Sequence, residues 1–545
     1  MNKQGKKVPS VAYFCMEFGL DPSFPIYSGG LGILAGDYLK AAYDDGYPVV
    51  GVGILWRKGY TSQYVDESGY PYDLSPEYNF DFLKDTGVKV TVTVKSNPVT
   101  LKVWLADCFK NAPLYLLDAD LPENQEPWLT HLLYRGNHDD RIAQEIILGI
   151  GGIRALRALG LAIDLYHFNE GHAVLAGIEL IREKMKAGLS FEQALQATRQ
   201  EIVFTTHTPV PAGNESHHHG ALSYVGAYNG LTYEQMKRIG GDPFNMTVAG
   251  LRLAALTNAV SQLHGETAQQ MWQHVSDCSP IIAITNGVHQ GTWQDPKMEE
   301  ALQSGASLFT AHQENKRRLL AEIQAKTGHL LISDTLLIGF ARRAATYKRG
   351  DLIFRDRAEL LPLLQNHQVQ LVFSGKAHPQ DHEGKQIVAN LVKLAKEFPG
   401  QVIFLENYDM TLGQLLTRGC DVWLNNPCRP MEASGTSGMK AAMNGVLNFS
   451  TLDGWWVEGC QHGINGWQFG DGYSGPGQDE HDLQALYRTL KAEIIPTYYQ
   501  NRPQWERMMK ASIESGAATF SARRMVREYY DRMYHVVTAP QAKIS

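Results

Sequence analysis

The chain has 545 residues, 44% of them hydrophobic and 20% charged, with a net charge of −7. That length exceeds what one core supports, so two or three globular domains are expected. The negative balance excludes an electrostatic footprint for nucleic acid or an anionic membrane, and six scattered cysteines without CxxC spacing suggest neither a disulfide framework nor a zinc site. The polar start, Met1 to Lys7, has no apolar stretch behind it, and no run reaches membrane-spanning length. A reduced, cytoplasmic protein is the default expectation.

Val8 to Cys15 reads as a buried strand. After Met16 to Gly19 and a proline-containing loop comes the turn Tyr27-Ser28-Gly29-Gly30-Leu31-Gly32, then a helical pattern from Ile33 to Tyr43 and an apolar strand, Pro48 to Gly53. Strand, glycine turn, helix, strand is the unit of a doubly wound sheet, whose ligands bind beyond the carboxyl ends of its strands; taken alone, such a turn reads as packing. From Tyr60 to Leu121 short alternating strands, among them Val88 to Lys95 and Leu101 to Leu105, predict an antiparallel excursion. Arg141 to Leu159 predicts a long helix softened by Gly149, Gly151 and Gly152.

Two strand-then-loop segments follow, Leu165 to His172 and Ile202 to Pro209, ending in Asn169, Glu170 and His172 and in Thr205, Thr206 and His207. Either alone reads as strand-end capping; two in succession point to a polyol pocket, because sugars offer many hydroxyls and no charge. His217, His218 and His219 are adjacent, so they cannot share one face, and no carboxylate or cysteine completes a ligand set. They are read as a solvated loop, with no metal. Pro280 to His289 is another apolar strand ending at a polar turn.

The rhythm changes near Leu331. Thr335 to Phe340, Val369 to Ser374, Val402 to Leu405 and Val422 to Leu424 alternate with helical patterns, predicting a second parallel α/β domain. A last helix, Ser521 to Val537, has a serine N-cap and apolar Met525, Tyr529 and Met533; it is expected to pack back toward the first domain.

Three turns of this second half carry cations or anion-binding backbone. Arg343 and Lys348, in Phe340 to Arg349, could converge on one phosphate, although a four-cation turn also reads as a solvated one. Phe373 to His378 superficially resembles a P-loop but lacks the upstream glycine and the Ser/Thr after Lys376. Glu432 to Gly445 is the most informative: Thr436, Ser437 and Gly438 open a helix whose free N–H groups and dipole suit an anion. Lys440 falls in its first turn, and Glu432 stands upstream to accept sugar hydroxyls or pair with a cation. There is no metal motif beside a strand end, no G-x-S-x-G elbow and no evident carboxylate pair. The acid–base group would then have to come from a cofactor.

Together Ala12 to Phe18, Tyr27 to Gly32, Asn169 to His172, Thr205 to Thr208, Thr285 to Gly287 with Trp293, Tyr347 to Arg349, Leu405 to Tyr408 and Glu432 to Lys440 resemble the α-glucan (glycogen, starch, maltodextrin) phosphorylase family, closest to its short bacterial-type branch. The resemblance implies a glycosyltransferase-B type α/β architecture: two doubly wound Rossmann-like domains facing a central cleft, over residues 1–330 and 331–515, with residues 516–545 as the returning helix. It implies pyridoxal 5'-phosphate held by Lys440, and reversible phosphorolysis of terminal α-1,4-linked glucose with retention of configuration. The partners would be a glucan or maltodextrin and inorganic phosphate or glucose 1-phosphate, in a chain that could form a homodimer. The cofactor's phosphate group, not its aldehyde carbon, would handle the proton.

Carried over by position, His207 would hold the glucosyl ring and steady developing charge. Asn286, Glu432, Ser434 and Gly435 would bind glucose hydroxyls, and Glu17, Asn169, His172 and Ala433 are placed with them on the substrate side. Arg343 and Lys348 would meet the two phosphates, and Gly29 and Gly30 would face the substrate phosphate. Thr436, Ser437 and Gly438 would seat the cofactor phosphate, with Tyr408, Trp293 and Arg342 around the cofactor. Asp409, Gly19 and the Ser437-Gly438 pair depart from long-chain members, which carry Arg, Tyr and Gly-Asn there; those members' N-terminal regulatory segment is also missing. The alternatives are a nucleotide-sugar glucosyltransferase of the same fold, which has no use for Lys440 at that helix start, and a glucan-binding scaffold without catalysis, which would not need His207, Arg343, Lys348 and Lys440 together.

Overall fold

The computed structural model describes residues 8–210 and 213–539. In the first half, β1 (Val11–Phe14), β2 (Val49–Ile54), β7 (Leu114–Asp118), β8 (Leu165–Asn169), β9 (Ile202–Thr205), β12 (Leu256–Ala259) and β13 (Ile281–Ala283) are parallel neighbours. β5 (Lys84–Val94) and β6 (Asn97–Ala106) pair antiparallel at one edge, giving nine strands in the order β13-β12-β9-β8-β1-β2-β7-β6-β5. The alternating segment is therefore the antiparallel edge of the main sheet. A separate hairpin, β3 (Ser62–Val65) with β4 (Pro71–Leu74), stands away from it, and β10 (Ser216–His217) pairs with β11 (Phe244–Asn245). β1, β8 and β9 are buried along their whole length, as strands covered on both faces must be.

The second half holds six parallel strands, β14 (Leu336–Ala341), β15 (Val369–Ser374), β16 (Val402–Leu405), β17 (Val422–Asn425), β18 (Leu447–Thr451) and β19 (Gly466–Phe469), in the order β16-β15-β14-β17-β18-β19. Met298, Ala301 and Leu308 already belong to the core of this sheet, as do Leu319 and Ile323 of the Leu308–Thr327 helix. The chain thus starts packing on the second sheet nearly forty residues before its first strand, Met298 against Leu336. Among the described residues no helix is long and apolar enough to cross a membrane.

Two helices differ from their sequence patterns. The expected Arg141–Leu159 helix begins at His138, and Gly149 and Gly151 fall in a wider π turn, Ile147–Gly151, between His138–Ile146 and Gly152–Ala158, with Gly152 just after it. The reason is contact: a Cβ on Gly149 would come within 2.5 Å of the Ala176 nitrogen, and one on Gly152 within 2.5 Å of the Phe14 ring. The terminal helix runs Ala522–Tyr529 behind its Ser521 N-cap, then widens over Tyr530–Tyr534. Ala522, Met525, Val526, Tyr529, Tyr530, Met533 and Tyr534 are buried in the core of the nine-stranded sheet.

The halves touch through polar contacts. Ser261 at the end of β12 donates to the Ala433 carbonyl at 2.6 Å, and Thr285 donates to Glu458 at 2.8 Å. The β3–β4 hairpin reaches across, with Gln63 bridging both backbone groups of Ala377 and Asp73 paired with Lys385 at 2.6 Å.

Candidate functional site

The helix Thr436–Met443 starts from Gly435, whose φ of +88° favours glycine, and no side chain caps it. The Thr436 and Ser437 N–H groups are left for another partner, while that of Gly438 donates to the Gly435 carbonyl at 3.3 Å. Gly438 is pressed against Asn448 and Trp455; a Cβ there would lie 2.6 Å from the Asn448 side-chain oxygen. The Ser437 hydroxyl accepts from the Trp423 indole at 3.1 Å. Lys440 lies one turn further in than the first turn, 7% exposed, and its amine sits 3.7 Å from the centre of the Trp293 ring with no hydrogen-bond partner. Burial lowers that amine to about 8, the Asp37 carboxylate only partly opposing it. Asp37 in turn accepts from the Trp293 indole at 2.9 Å. Sequence reading missed Asp37; its signal is a lone acid inside the buried face of the Gly30–Asp44 helix.

The basic turn after β14 separates its cations. Lys348 donates to Glu432 at 2.8 Å and Arg342 donates to the same oxygen at 3.1 Å. Burial alone would raise the Glu432 carboxyl, but Lys348 and Arg342 overcome it and hold the group at about 2. Arg343 is exposed and, among the described residues, makes no ion pair. In this arrangement it is Arg342 and Lys348 that converge, on Glu432, because the first arginine after β14 points inward, while Arg343 stays exposed. Glu432 pairs with cations, the second of the two roles read for it. Its backbone N–H is held by Asp453 at 2.9 Å, a carboxyl that burial pushes up to about 8. Asp453 had no sequence signal beyond its place after β18.

On the first half, the ends of β8 and β9 bring Asn169 and His207 together, 2.5 Å apart. An amide oxygen only accepts, so His207 carries its hydrogen on Nε2 and presents Nδ1 as an acceptor. Burial, then the neighbouring His264 and His172, lowers this ring to about 3, so it is neutral. Glu170 sits in the left-handed region at φ +74°, a strained placement for a non-glycine residue. Burial raises its carboxyl to about 7 against the Thr208 hydroxyl that donates to it at 2.7 Å. Its other oxygen has no partner, and neither do His172 Nδ1, Asn286 Oδ1 and Ser434 Oγ, all buried. Buried polar atoms are normally satisfied, so these four are open to a polar guest. Asn286 and Ser434 are neighbours, since the Asn286 N–H donates to the Val260 carbonyl at 3.0 Å and the adjacent Ser261 donates to Ala433, while Glu170 and His172 lie beside His207, whose backbone N–H donates to Glu170 at 3.3 Å.

Gly29 caps and Gly30 begins the Gly30–Asp44 helix, and a Cβ on either would meet nothing within 4 Å. Glu17 does not face open space. Its oxygens accept from Ser28 N–H at 2.6 Å, Gly29 N–H at 3.2 Å and the Tyr134 hydroxyl at 2.7 Å. It shapes the glycine turn, its oxygens being held by that turn and by Tyr134. Tyr408 and Trp293 flank Gly413, where a Cβ would lie 3.1 Å from the Tyr408 oxygen and 3.7 Å from the Trp293 ring. Asp409 has a local task as N-cap of the Met410–Gly419 helix. Gly19 leaves no room for a larger residue, its Cβ position being 2.6 Å from Ile33.

The histidine triplet is not a solvated loop. His217 is 1% exposed and bonds Glu145 at 2.9 Å and His138 at 3.0 Å; His219 is 8% exposed and bonds Tyr228 and the Gly241 carbonyl. Only His218 faces solvent. Sequence distance hid Glu145, and Glu215, two residues before His217, was passed over; their oxygens lie within 4.8 Å of each other and of His217 in metal-like grouping. Arg141 already occupies Glu215 through two nitrogens at 3.0 Å, which neutralises the group without an ion.

Comparison with known proteins agrees with this geometry. A family model described as carbohydrate phosphorylase matches residues 254–469, the stretch holding Asn286, the basic turn and Lys440. The chain is 40% identical to a maltodextrin phosphorylase of Thermococcus litoralis over 96% of its own length and 70% of the relative's. It is 35% identical to a glycogen phosphorylase of Aquifex aeolicus, covering 96% and 86%. It is also 37% identical to an uncharacterized protein of Methanocaldococcus jannaschii, covering 96% and 99%. With a buried lysine at an uncapped helix start, cations beside it and unpartnered polar atoms across from it, the chain belongs to the carbohydrate phosphorylase family, as an α-glucan phosphorylase of bacterial and archaeal type.

Proposed function

We propose that the chain uses pyridoxal 5'-phosphate and inorganic phosphate to release the terminal α-1,4-linked glucose of a glucan as glucose 1-phosphate, with retained configuration. The observation that carries this is Lys440: a buried amine with no hydrogen bond, lowered toward neutrality, one turn inside an uncapped helix start. An aldehyde partner suits such an amine and a phosphate suits such a helix start. The residues present fit the cofactor. Thr436 with the Ser437 and Gly438 backbone would seat its phosphate, Lys440 would tether it, and Trp293 and Tyr408 would flank its ring. When bound, the cofactor supplies a phosphate group able to exchange a proton with the substrate phosphate.

The protein's own groups do the rest. Arg343, exposed and without an ion pair among the described residues, would take the substrate phosphate, with the glycine turn at Gly29 and Gly30 facing it. Lys348 and Arg342 would release Glu432 as anions arrive, leaving that carboxylate, Asn286, Ser434 and Gly435 to hold sugar hydroxyls. Neutral His207 would accept from a hydroxyl through Nδ1. Glu170 and His172 supply further acceptors and donors along the chain of the glucan. The two parallel sheets would form a glycosyltransferase-B pair of doubly wound domains, with the cleft between them as the reaction chamber and the terminal helix docked on the first.

The test is covalent trapping. Borohydride reduction of the purified protein should add a pyridoxyl group to the peptide containing Lys440. A modified lysine elsewhere, or none in protein that turns over, would sink the assignment.

A further inference from the structure

The terminal helix contributes more than apolar area. Tyr38, Tyr534, His167, Thr205 and Asn258 are each at most 1% exposed and form one unbroken line of hydrogen bonds. Tyr38 meets Tyr534 at 2.7 Å, Tyr534 meets His167 Nδ1 at 2.7 Å, His167 Nε2 meets Thr205 at 2.6 Å, and Thr205 donates to Asn258 Oδ1 at 2.6 Å. Asn258 then donates to Tyr529 at 3.2 Å, returning the line to the terminal helix.

Donor counting gives the line a direction. The Asn258 oxygen can only accept, so the single Thr205 hydrogen points to it. Thr205 must then accept from His167, which carries its hydrogen on Nε2 and leaves Nδ1 to accept from Tyr534; Tyr534 accepts from Tyr38. Burial keeps this ring neutral, lowering it to about 3. Each hydroxyl and ring hydrogen is then used within the line, and reversing any one bond would set two donors or two acceptors against each other.

The line crosses three neighbouring strands just before their functional ends. His167 is two residues before Asn169 on β8, Thr205 two before His207, and Asn258 three before Ser261. Register places Asn169 opposite Thr205 and Asn258 beside Thr205. The Asn169–His207 contact of 2.5 Å therefore sits directly above a cross-strand bridge whose outer anchor is Tyr534.

From this geometry we infer that Tyr534, through His167 and Thr205, is a positioning residue that sets the Asn169–His207 pair, so that the terminal helix tunes the sugar side of the site without touching substrate. The inference rests on the proposed role of His207.

Tyr534→Phe removes only the hydroxyl that His167 Nδ1 accepts. Tyr530→Phe is the matched control: it lies on the same turn, is 1% exposed, and its hydroxyl donates to the Pro9 carbonyl at 3.2 Å, away from the strand ends. Tyr534→Phe should lower kcat for phosphorolysis about tenfold, the scale of a small misplacement in a site. The phosphate KM should stay within about twofold, and Tyr530→Phe should keep kcat within the same margin. Hydrogen exchange should rise at residues 165–172 and 202–209 in Tyr534→Phe alone. Equal kcat loss in both variants, loss only in step with lowered thermal stability, or unchanged exchange at the strand ends would overturn the inference. A wild-type protein that forms no glucose 1-phosphate would refute the proposed function instead, and the exchange comparison would still decide whether Tyr534 sets the strand ends.

Discussion

Glu432→Gln removes the carboxylate that Lys348 and Arg342 share while keeping shape and volume. Holding that carboxyl at about 2 instead of 4.5 corresponds to about 3 kcal/mol in favour of its charged form. Lys348 and Arg342 are each 9% exposed, so removing their partner leaves two cations poorly solvated, and breaking such a buried pair costs about 3–5 kcal/mol. The cofactor-free variant should therefore lose about 3 kcal/mol at pH 7 in urea unfolding followed by tryptophan fluorescence. The sign follows from the depressed value. The stabilisation is present above 4.5, where the unfolded chain is also charged, and is lost as pH falls toward 2. The gap between wild type and variant should narrow over that window. Inorganic phosphate should stabilise the variant more than the wild type, because its two cations are free. Equal stability at pH 7, or a gap that does not shrink in acid, would refute the reasoning.

Three further outcomes are expected. Arg343→Ala should leave stability within about 0.5 kcal/mol, since Arg343 makes no ion pair among the described residues, while raising the phosphate KM; an unchanged phosphate dependence in steady-state assays would remove it from the site. Gly438→Ala would drive a methyl to 2.6 Å from the Asn448 oxygen, so the purified variant should carry less cofactor by absorbance, and full cofactor content would count against this helix start as its seat. Glu170 is held at about 7 against an ordinary 4.5, so the wild type loses stability as pH rises between those values. Glu170→Gln should gain about 3 kcal/mol over wild type at pH 8 and nothing at pH 4, and thermal unfolding at both pH values checks it.

Much of the site was legible because it lies at strand ends, where polar residues interrupt apolar runs. Asn169, His207 and Asn286 each follow such a run, and the glycine-rich helix start at Gly435 announces itself by composition. What stayed hidden depends on which way a side chain points. Nothing in Arg342-Arg343 says that the first turns inward to Glu432 and the second outward. The three histidines looked solvated because the carboxylate that buries His217, Glu145, lies 72 residues away in sequence. Glu17 was read by its neighbourhood, whereas its oxygens are spent on the Ser28 and Gly29 backbone. The Tyr38–Tyr534–His167 line could not be read at all, since its members are separated by up to 496 residues and meet only when the terminal helix docks.

The account turns on a cofactor-bearing Lys440 working with inorganic phosphate. The most direct measurement is glucose 1-phosphate formed from maltodextrin by the wild-type protein and by Lys440→Ala, each with and without inorganic phosphate. Product that requires phosphate and disappears in Lys440→Ala is the predicted result. Product without phosphate, or undiminished product from cofactor-free Lys440→Ala, would contradict it.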